Sequence, residues 1–185
     1  LSLPLGTLLA WLTARRRFPG VGALEAALML PLGVSSANLG LGYLKAYQAL
    51  PWRFTGSWIA VVFAHSVVAY PFVVRAVSPV LRKLPASLPE AARSLGAGPW
   101  QLFFRVELPL LKGALITGAA FAFGISVGEI NATLMLSPPG VLTMPLAVYR
   151  LIGSYNFAGA CAMGTVLMLA CFLAFLAIET LGKEP

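Results

Sequence analysis

Two ionisable side chains inside long apolar stretches are the first candidates for chemistry in this sequence. Glu129 lies in the apolar stretch 113–136, and His65 lies at the centre of the stretch 57–77. An ionisable residue inside a membrane span is a functional candidate by default, because burying its charge is costly. Glu129 has two interpretations that the sequence leaves open. It lines a pathway, or it is a partly solvated carboxylate that pairs with Arg150 or with the backbone.

The remaining reactive residues argue against catalysis by this chain. His65 is the single histidine, and no second His or Cys lies near it in the sequence, so its spacing predicts a buried, hydrogen-bonded neutral imidazole and no metal site. The six acidic residues form no carboxylate pair at helical spacing, and no nucleotide-binding, zinc-protease or serine-hydrolase motif is present. We therefore expect neither an enzyme nor a cofactor in this chain. An intramembrane enzyme that uses Glu129 and His65 stays as an alternative.

The composition places these residues in a membrane protein. Of the 185 residues, 59% are hydrophobic and only 10% are charged, and the mean hydropathy is +0.86. Soluble domains carry about 25% charged residues, so the composition excludes disorder and most soluble folds. The net charge of +7 comes from short basic clusters between apolar stretches. This pattern is typical of orienting charges and does not predict nucleic-acid binding. The sequence predicts an all-α polytopic membrane protein.

Five apolar segments are candidates for membrane spans of about 20 residues, and they cover residues 1–14, 24–47, 57–77, 113–136 and 157–178. The first looks truncated, and the polar loop, residues 78–112, separates the third from the fourth. Basic residues favour the cytoplasmic side. Placing the polar loop and the C-terminus inside puts ten of the 13 basic residues there: Arg15, Arg16, Arg17, Arg75, Arg82, Lys83, Arg93, Arg105, Lys112 and Lys183. Glu25 is expected to pair with the basic run 15–17.

The polar loop has the signals of two short helices. Ser87 and Glu90 have the spacing of a capping box, and Gly96 is placed to end that helix in a left-handed turn. A second helix is predicted from Trp100 to about Val106, with a proline three residues later. The second helix is rich in aromatic residues. We expect such a helix beside a bilayer to pack against lipid or in a groove on another protein.

This loop resembles the EAA motif of binding-protein-dependent ABC importer permeases, whose pattern is E-A-A-x3-G-x9-I-x-L-P. In that family the loop forms coupling helices that dock into a groove on a cytoplasmic ATPase subunit. The resemblance implies an ATPase-coupling role for Glu90, Ala91, Ala92, Gly96, Trp100, Val106, Leu108 and Pro109. Val106 stands in place of the family isoleucine. Each residue also has a local structural role, as a cap, a helix end or a chain break, and the two roles are compatible.

The resemblance implies a fold, a set of partners and a location. The fold is the type I ABC importer permease core, with about five transmembrane helices in a single domain over residues 1–185. The chain is then the permease subunit of an ATP-driven importer in the bacterial inner membrane. Its partners are ATPase subunits that bind the ATP, an extracytoplasmic binding protein, and a second permease half or a homodimer mate. Because Leu1 already lies in an apolar run, we expect a fragment or the C-terminal half of a longer permease.

Finer features predict a substrate branch and a translocation pathway. Residues 128–133 and the run 152–155 resemble the thiamine and ferric-iron branch, although Ile130 and Asn131 depart from its pattern. Thiamine is therefore the first expectation and ferric iron the second, ahead of spermidine or an oxyanion. The candidate pathway residues are Asn38, Gly128, Glu129 and Asn131. Small residues such as Gly124 and Gly128 indicate helix packing or a pathway. A secondary transporter is a further alternative, but the inverted repeats that it predicts are absent from the sequence.

Overall fold

A computed structural model describes residues 1–15, 18–49, 57–85 and 87–182, which form helices and connecting turns without a β-strand. The first half contains α1 (Ser2–Arg15), α2 (Val21–Leu28), α3 (Leu30–Gly33), α4 (Ser36–Ala49) and α5 (Trp58–Lys83). The polar loop contains α6 (Ser87–Ser94), α7 (Pro99–Leu102), a π-helical turn (Phe103–Glu107) and α8 (Leu108–Leu110). The second half contains α9 (Lys112–Gly128), α10 (Asn131–Leu136), α11 (Met144–Gly153) and α12 (Phe157–Gly182).

The long helix α5 is the centre of the molecule, and α1 and α9 pack along it. Its buried side chains, among them Val73, form the main core together with Ala10 of α1 and Leu111. Glycines allow the helices to approach closely. A Cβ at Gly6 of α1 would lie 2.6 Å from the Val73 Cβ, and one at Gly118 of α9 would lie 3.3 Å from the Val73 Cα. Small residues at helix–helix contacts are typical of membrane bundles.

Two helices in the described residues are long and apolar enough to cross a membrane, Trp58–Lys83 and Phe157–Thr180. A third is obtained if Pro99–Leu110 and Lys112–Gly128, which meet at an angle of 76°, are counted as one bent span. The third and fifth predicted segments are thus continuous helices, and the first is a helix of 14 residues. In the most apolar 18-residue stretch of α12, none of the residues is buried within the chain.

The second and fourth predicted segments are not continuous helices. The second is divided into α2, α3 and α4 by a turn at Met29 and by extended backbone at Val34. Pro31 and Gly33 fall in this region, and both residues disfavour an unbroken helix. The fourth is divided because Glu129 is extended after α9, with φ −75° and ψ 116°. Hydropathy alone does not report such breaks, since the apolar character continues through them.

The end of α6 was predicted correctly from Gly96. This residue has φ +83°, the left-handed conformation that glycine adopts most readily. The Gly96 N–H donates to the Arg93 carbonyl at 2.9 Å, and the Ala97 N–H donates to the Ala92 carbonyl at 3.0 Å. These two bonds are those of a Schellman motif, and they fix the bend between α6 and α7.

Two details of the polar loop differ from the prediction. Ser87 lies inside the first turn of α6, so it is not the N-cap residue that a capping box requires, and the residue before it lies outside the described residues. Pro109 does not end the second helix, because the chain continues through α8 to Leu110. The π-helical turn accounts for this difference: its wider winding, with the Leu108 N–H donating to the Phe103 carbonyl, precedes the proline.

Candidate functional site

The outer surface of the polar loop carries large apolar side chains. Leu95 is 89% exposed, Trp100 is 70% exposed and Phe104 is 56% exposed. The Trp100 and Phe104 rings stack with centroids 6.1 Å apart, and the Gln101 Oε1 accepts a hydrogen bond from the Gly98 N–H at 3.0 Å. A rigid, capped loop that presents aromatic rings is suited to bind a groove on another protein. We call Leu95, Trp100 and Phe104 the docking surface.

The predicted coupling residues divide into an outer and an inner group. Glu90, Ala91, Gly96 and Trp100 are exposed on the α6–α7 bend, and Ala92 is half-buried there. The inner group lies in the π-helical turn and in α8. Val106 and Leu108 are half-buried, and Pro109 is exposed on α8. The motif therefore extends from the exposed bend to the start of α9.

The buried acidic residue of this region, Glu107, was not among the site residues predicted from the sequence. Glu107 is only 2% exposed. Its Oε1 lies 2.7 Å from the Arg15 Nη2, an ion pair that is not aligned for a hydrogen bond. Its Oε2 accepts a hydrogen bond from the Trp11 Nε1 at 2.6 Å. The spacing of Trp11 and Arg15, four residues apart on one helix, was a signal that both face one partner.

Glu25 pairs with a different arginine from the one predicted. It forms an ion pair with Arg82 of α5, whereas Arg15 of the predicted run binds Glu107. Residues 16 and 17 of that run lie outside the described residues. The number of basic residues on each side of the membrane predicts the orientation of the chain, but it does not predict which acidic residue pairs with each arginine.

His65 joins three helices inside the bundle. Its Nδ1 lies 3.0 Å from the Ser126 Oγ of α9, and its Nε2 lies 2.7 Å from the Thr133 Oγ1 of α10. The Thr133 hydroxyl donates its hydrogen to the Glu129 carbonyl oxygen at 3.1 Å. It must therefore accept from His65, which assigns a proton to Nε2. This arrangement agrees with the predicted hydrogen-bonded imidazole.

The Glu129 side chain is turned toward the backbone. It is 8% exposed, and its Oε1 accepts a hydrogen bond from the Ala132 N–H in the first turn of α10 at 2.9 Å. Of the two interpretations in the sequence, this contact favours the carboxylate that pairs with the backbone. Both ring nitrogens of His65 are engaged by hydroxyl groups, so Glu129 and His65 are not arranged as an acid–base pair.

Three of the four candidate pathway residues lie together at the break between α9 and α10. Gly128 is exposed at the end of α9, Glu129 occupies the break, and Asn131 begins α10. The exposed Asn131 Nδ2 donates to the Ser36 Oγ at 2.8 Å, which connects the break to α4. Asn38 is exposed on α4, two residues further along. The break thus brings together polar groups from two distant parts of the chain.

The described residues contain no group of three or more His, Cys, Asp or Glu side chains that could hold a metal ion. Cys161 and Cys171 are free thiols on α12. The polar groups gathered at the α9–α10 break are hydroxyls, amides, one imidazole and the Glu129 carboxylate. The family described as "Binding-protein-dependent transport system inner membrane component" matches residues 2–183.

The chain belongs to this family. It is 36% identical to the probable sulfate transport system permease protein cysT of Nephroselmis olivacea, over 94% of this chain and 66% of that protein. It is 34% identical to the molybdenum transport system permease protein ModB of Escherichia coli K12, over 99% of this chain and 88% of that protein. It is also 34% identical to the putative 2-aminoethylphosphonate permease protein PhnV of Salmonella typhimurium, over 87% of this chain.

The chain spans just under two thirds of the length of the sulfate-permease relatives that it matches, at 66%, 64% and 65%. The family match confirms the resemblance to ABC importer permeases and the all-α membrane fold. Members of the family are transport components and not enzymes, so the intramembrane enzyme is not favoured. The cited relatives are named for sulfate, molybdenum and 2-aminoethylphosphonate, and they give thiamine or ferric iron no support.

Proposed function

We propose that this chain is the membrane-spanning subunit of an ATP-driven importer for a small tetrahedral oxyanion such as sulfate or molybdate. The observation that carries the proposal is the docking surface: three large apolar side chains on a capped, exposed bend, in a chain that belongs to a transport family. The bend is held by the Schellman motif at Gly96. A rigid bend transmits a displacement from a partner better than a flexible loop does.

The oxyanion is supported by the relatives and by the polar groups at the α9–α10 break. Sulfate and molybdate are tetrahedral dianions, and the phosphonate group of 2-aminoethylphosphonate is also a tetrahedral anion. The amides of Asn38 and Asn131 are exposed and supply neutral hydrogen-bond donors. The Glu129 Oε1 is occupied by the Ala132 N–H, so this carboxylate is directed to the backbone instead of the open side.

The proposal includes an orientation and a set of partners. The polar loop and the C-terminus face the cytoplasm of a bacterial cell, where ATPase subunits bind and hydrolyse the ATP. An extracytoplasmic binding protein delivers the anion to the opposite side. A second permease half or a second copy completes the pathway, because α12 buries none of its long apolar window within this chain. Lipid covers the rest of the apolar surface.

The first test is co-purification of the ATPase with the tagged full-length gene product. We expect the wild type to retain the ATPase and Gly96→Glu to lose it, because a glutamate at φ +83° is strained by about 1–2 kcal/mol and alters the bend. Gly140→Glu is the matched control. Gly140 also has a positive φ, +87°, and open space around it, but it lies between α10 and α11. Loss of the ATPase in both variants would contradict a specific role for the bend.

The second test identifies the substrate through stimulation of ATP hydrolysis. ATP hydrolysis by the complex in lipid nanodiscs, together with its binding protein, is measured in the presence of sulfate, molybdate, 2-aminoethylphosphonate, thiamine or ferric iron. We expect one of the tetrahedral anions to stimulate hydrolysis. Stimulation by thiamine or ferric iron alone would overturn the oxyanion proposal while preserving the importer. If no ATPase co-purifies with the wild type, the importer proposal fails and a secondary transporter becomes the leading alternative.

A further inference from the structure

A buried ion pair connects α1 to the inner side of the polar loop. Glu107, at the end of the π-helical turn, contacts both Arg15 and Trp11 of α1, and these partners lie more than 90 positions away in the sequence. Both Glu107 oxygens are used, one by the guanidinium and one by the indole N–H. Removing one member of a buried pair leaves an uncompensated charge, so such a pair strongly favours one arrangement of its two elements.

A row of aromatic rings leads from the same place to the docking surface. The Trp11 ring meets the Phe103 ring edge-on, with centroids 5.7 Å apart. Phe103 meets Phe104 edge-on at 5.1 Å, and Phe104 stacks on Trp100 at 6.1 Å. The exposed Trp100 is thus connected to α1 by three consecutive ring contacts. Packed side chains therefore connect the docking surface to α1.

Helix α1 in turn is packed closely against α5. Gly6 of α1 contacts α5 so closely that an added Cβ would lie 2.6 Å from the Val73 Cβ and 2.9 Å from the Tyr70 carbonyl oxygen. Ala10, one turn further along α1, belongs to the same buried core as Val73. The docking surface, the ion pair, α1 and α5 therefore form one continuous packed unit. Packed interfaces of this kind carry coupling between distant sites when they move as a body.

We infer that Arg15 and Glu107 are positioning residues for coupling, which hold the second helix of the polar loop on α1 so that movement at Trp100 is transmitted to α1 and α5. This inference rests on the proposed importer function. It assigns to the pair a role in converting ATP hydrolysis into transport, separate from binding of the ATPase, because neither residue lies on the docking surface. Glu107 is buried, so the ATPase binds without touching it.

The test compares transport with ATP hydrolysis in Glu107→Gln, in the full complex reconstituted in vesicles with its binding protein. The glutamine keeps the volume and still accepts the Trp11 N–H, so only the charge is lost. We expect normal co-purification of the ATPase and continued hydrolysis, with the molybdate or sulfate transported per ATP reduced about five-fold or more. Arg15→Lys, which retains the positive charge, is expected to preserve most of this ratio. A wild-type ratio in Glu107→Gln would overturn the inference.

Two further variants keep the result interpretable. Glu25→Gln breaks the exposed pair with Arg82 and is the matched control, for which we expect the wild-type ratio. If Glu107→Gln does not fold, the double variant Arg15→Gln/Glu107→Gln removes the unpaired charge and is expected to fold but remain uncoupled. Full coupling in the double variant would contradict the inference.

A readout that needs no substrate separates this inference from the proposed function. Hydrogen–deuterium exchange of residues 99–110 in the assembled complex is expected to rise in Glu107→Gln and to stay unchanged in Glu25→Gln. If none of the three tetrahedral anions stimulates the wild type, the oxyanion proposal fails, and this exchange result still decides whether the pair holds the loop. Unchanged exchange in Glu107→Gln would exclude the positioning role.

Discussion

At the scale of single residues, the polar groups inside the bundle serve to hold helices together at a break. The His65 imidazole and the Thr133 hydroxyl form a chain that ends on the Glu129 carbonyl, the residue at which α9 stops. A backbone that leaves its helix inside a membrane has unpaired groups, and neighbouring side chains must satisfy them. His65 and Glu129, the two residues of the alternative intramembrane enzyme, are both engaged in this structural network.

Thr133→Val tests this network, because valine has the same shape but removes the hydroxyl. His65 Nε2 and the Glu129 carbonyl then lose their partner, and we expect the free energy of unfolding to fall by about 1–2 kcal/mol. The measurement is unfolding of the purified protein in mild detergent with increasing SDS.

Thr117→Val is the control for the same chemical change. Thr117 is exposed on α9, and its hydroxyl donates to the Gly113 carbonyl of its own helix. We expect its effect to stay within about 0.5 kcal/mol. An equal loss in both variants would show that the hydroxyl of Thr133 has no special role.

At the scale of helices, close contact between α1 and α5 depends on the absence of a side chain at Gly6. Gly6→Ala places a methyl group against the Val73 side chain and the Tyr70 carbonyl, and a carbonyl of the backbone cannot rotate away. We expect α1 to be displaced and the free energy of unfolding to fall by about 1–3 kcal/mol. The measurement is the same unfolding assay.

Gly164→Ala on α12 has the opposite expected sign. An added Cβ there has no neighbour within 4 Å, and alanine favours a helix interior over glycine. We expect a change between zero and a gain of about 1 kcal/mol. Loss of stability in both variants would mean that the α1–α5 contact is not the cause.

At the scale of the whole molecule, the distribution of charge predicts which side faces the cytoplasm. Ser87→Cys in α6 and Ser154→Cys after α11 are conservative changes at exposed positions on the two proposed sides. With Cys161 and Cys171 replaced by alanine, we expect a membrane-impermeant thiol reagent to label Cys at 154 in intact spheroplasts. Labelling at position 87 is expected only after permeabilisation. The reverse pattern would invert the topology.

Helix ends in the polar loop could be predicted from neighbouring residues, whereas contacts between residues distant in the sequence could not. The end of α6 at Gly96 follows from one residue and its neighbours, so it was correct. Trp11 and Glu107 lie 96 positions apart, and nothing near either residue indicates the other. The helix breaks at Val34 and Glu129 were not predicted, because hydropathy is averaged over a whole segment and does not report a local change of backbone conformation. The substrate branch rested on runs of four to six residues, too short to separate related permeases.

The π-helical turn has a consequence for the direction in which the docking surface faces. A π turn accommodates one residue more than an α-helix of equal length, so Phe103–Glu107 contains a surplus residue. One residue corresponds to a rotation of about 100° around a helix axis. The direction in which the Trp100 side chain faces, relative to α9, therefore depends on the one surplus residue in the π-helical turn. Insertion or loss of one residue at the end of this turn would rotate Leu95 and Trp100, which precede the turn, by about a quarter of a revolution relative to α9.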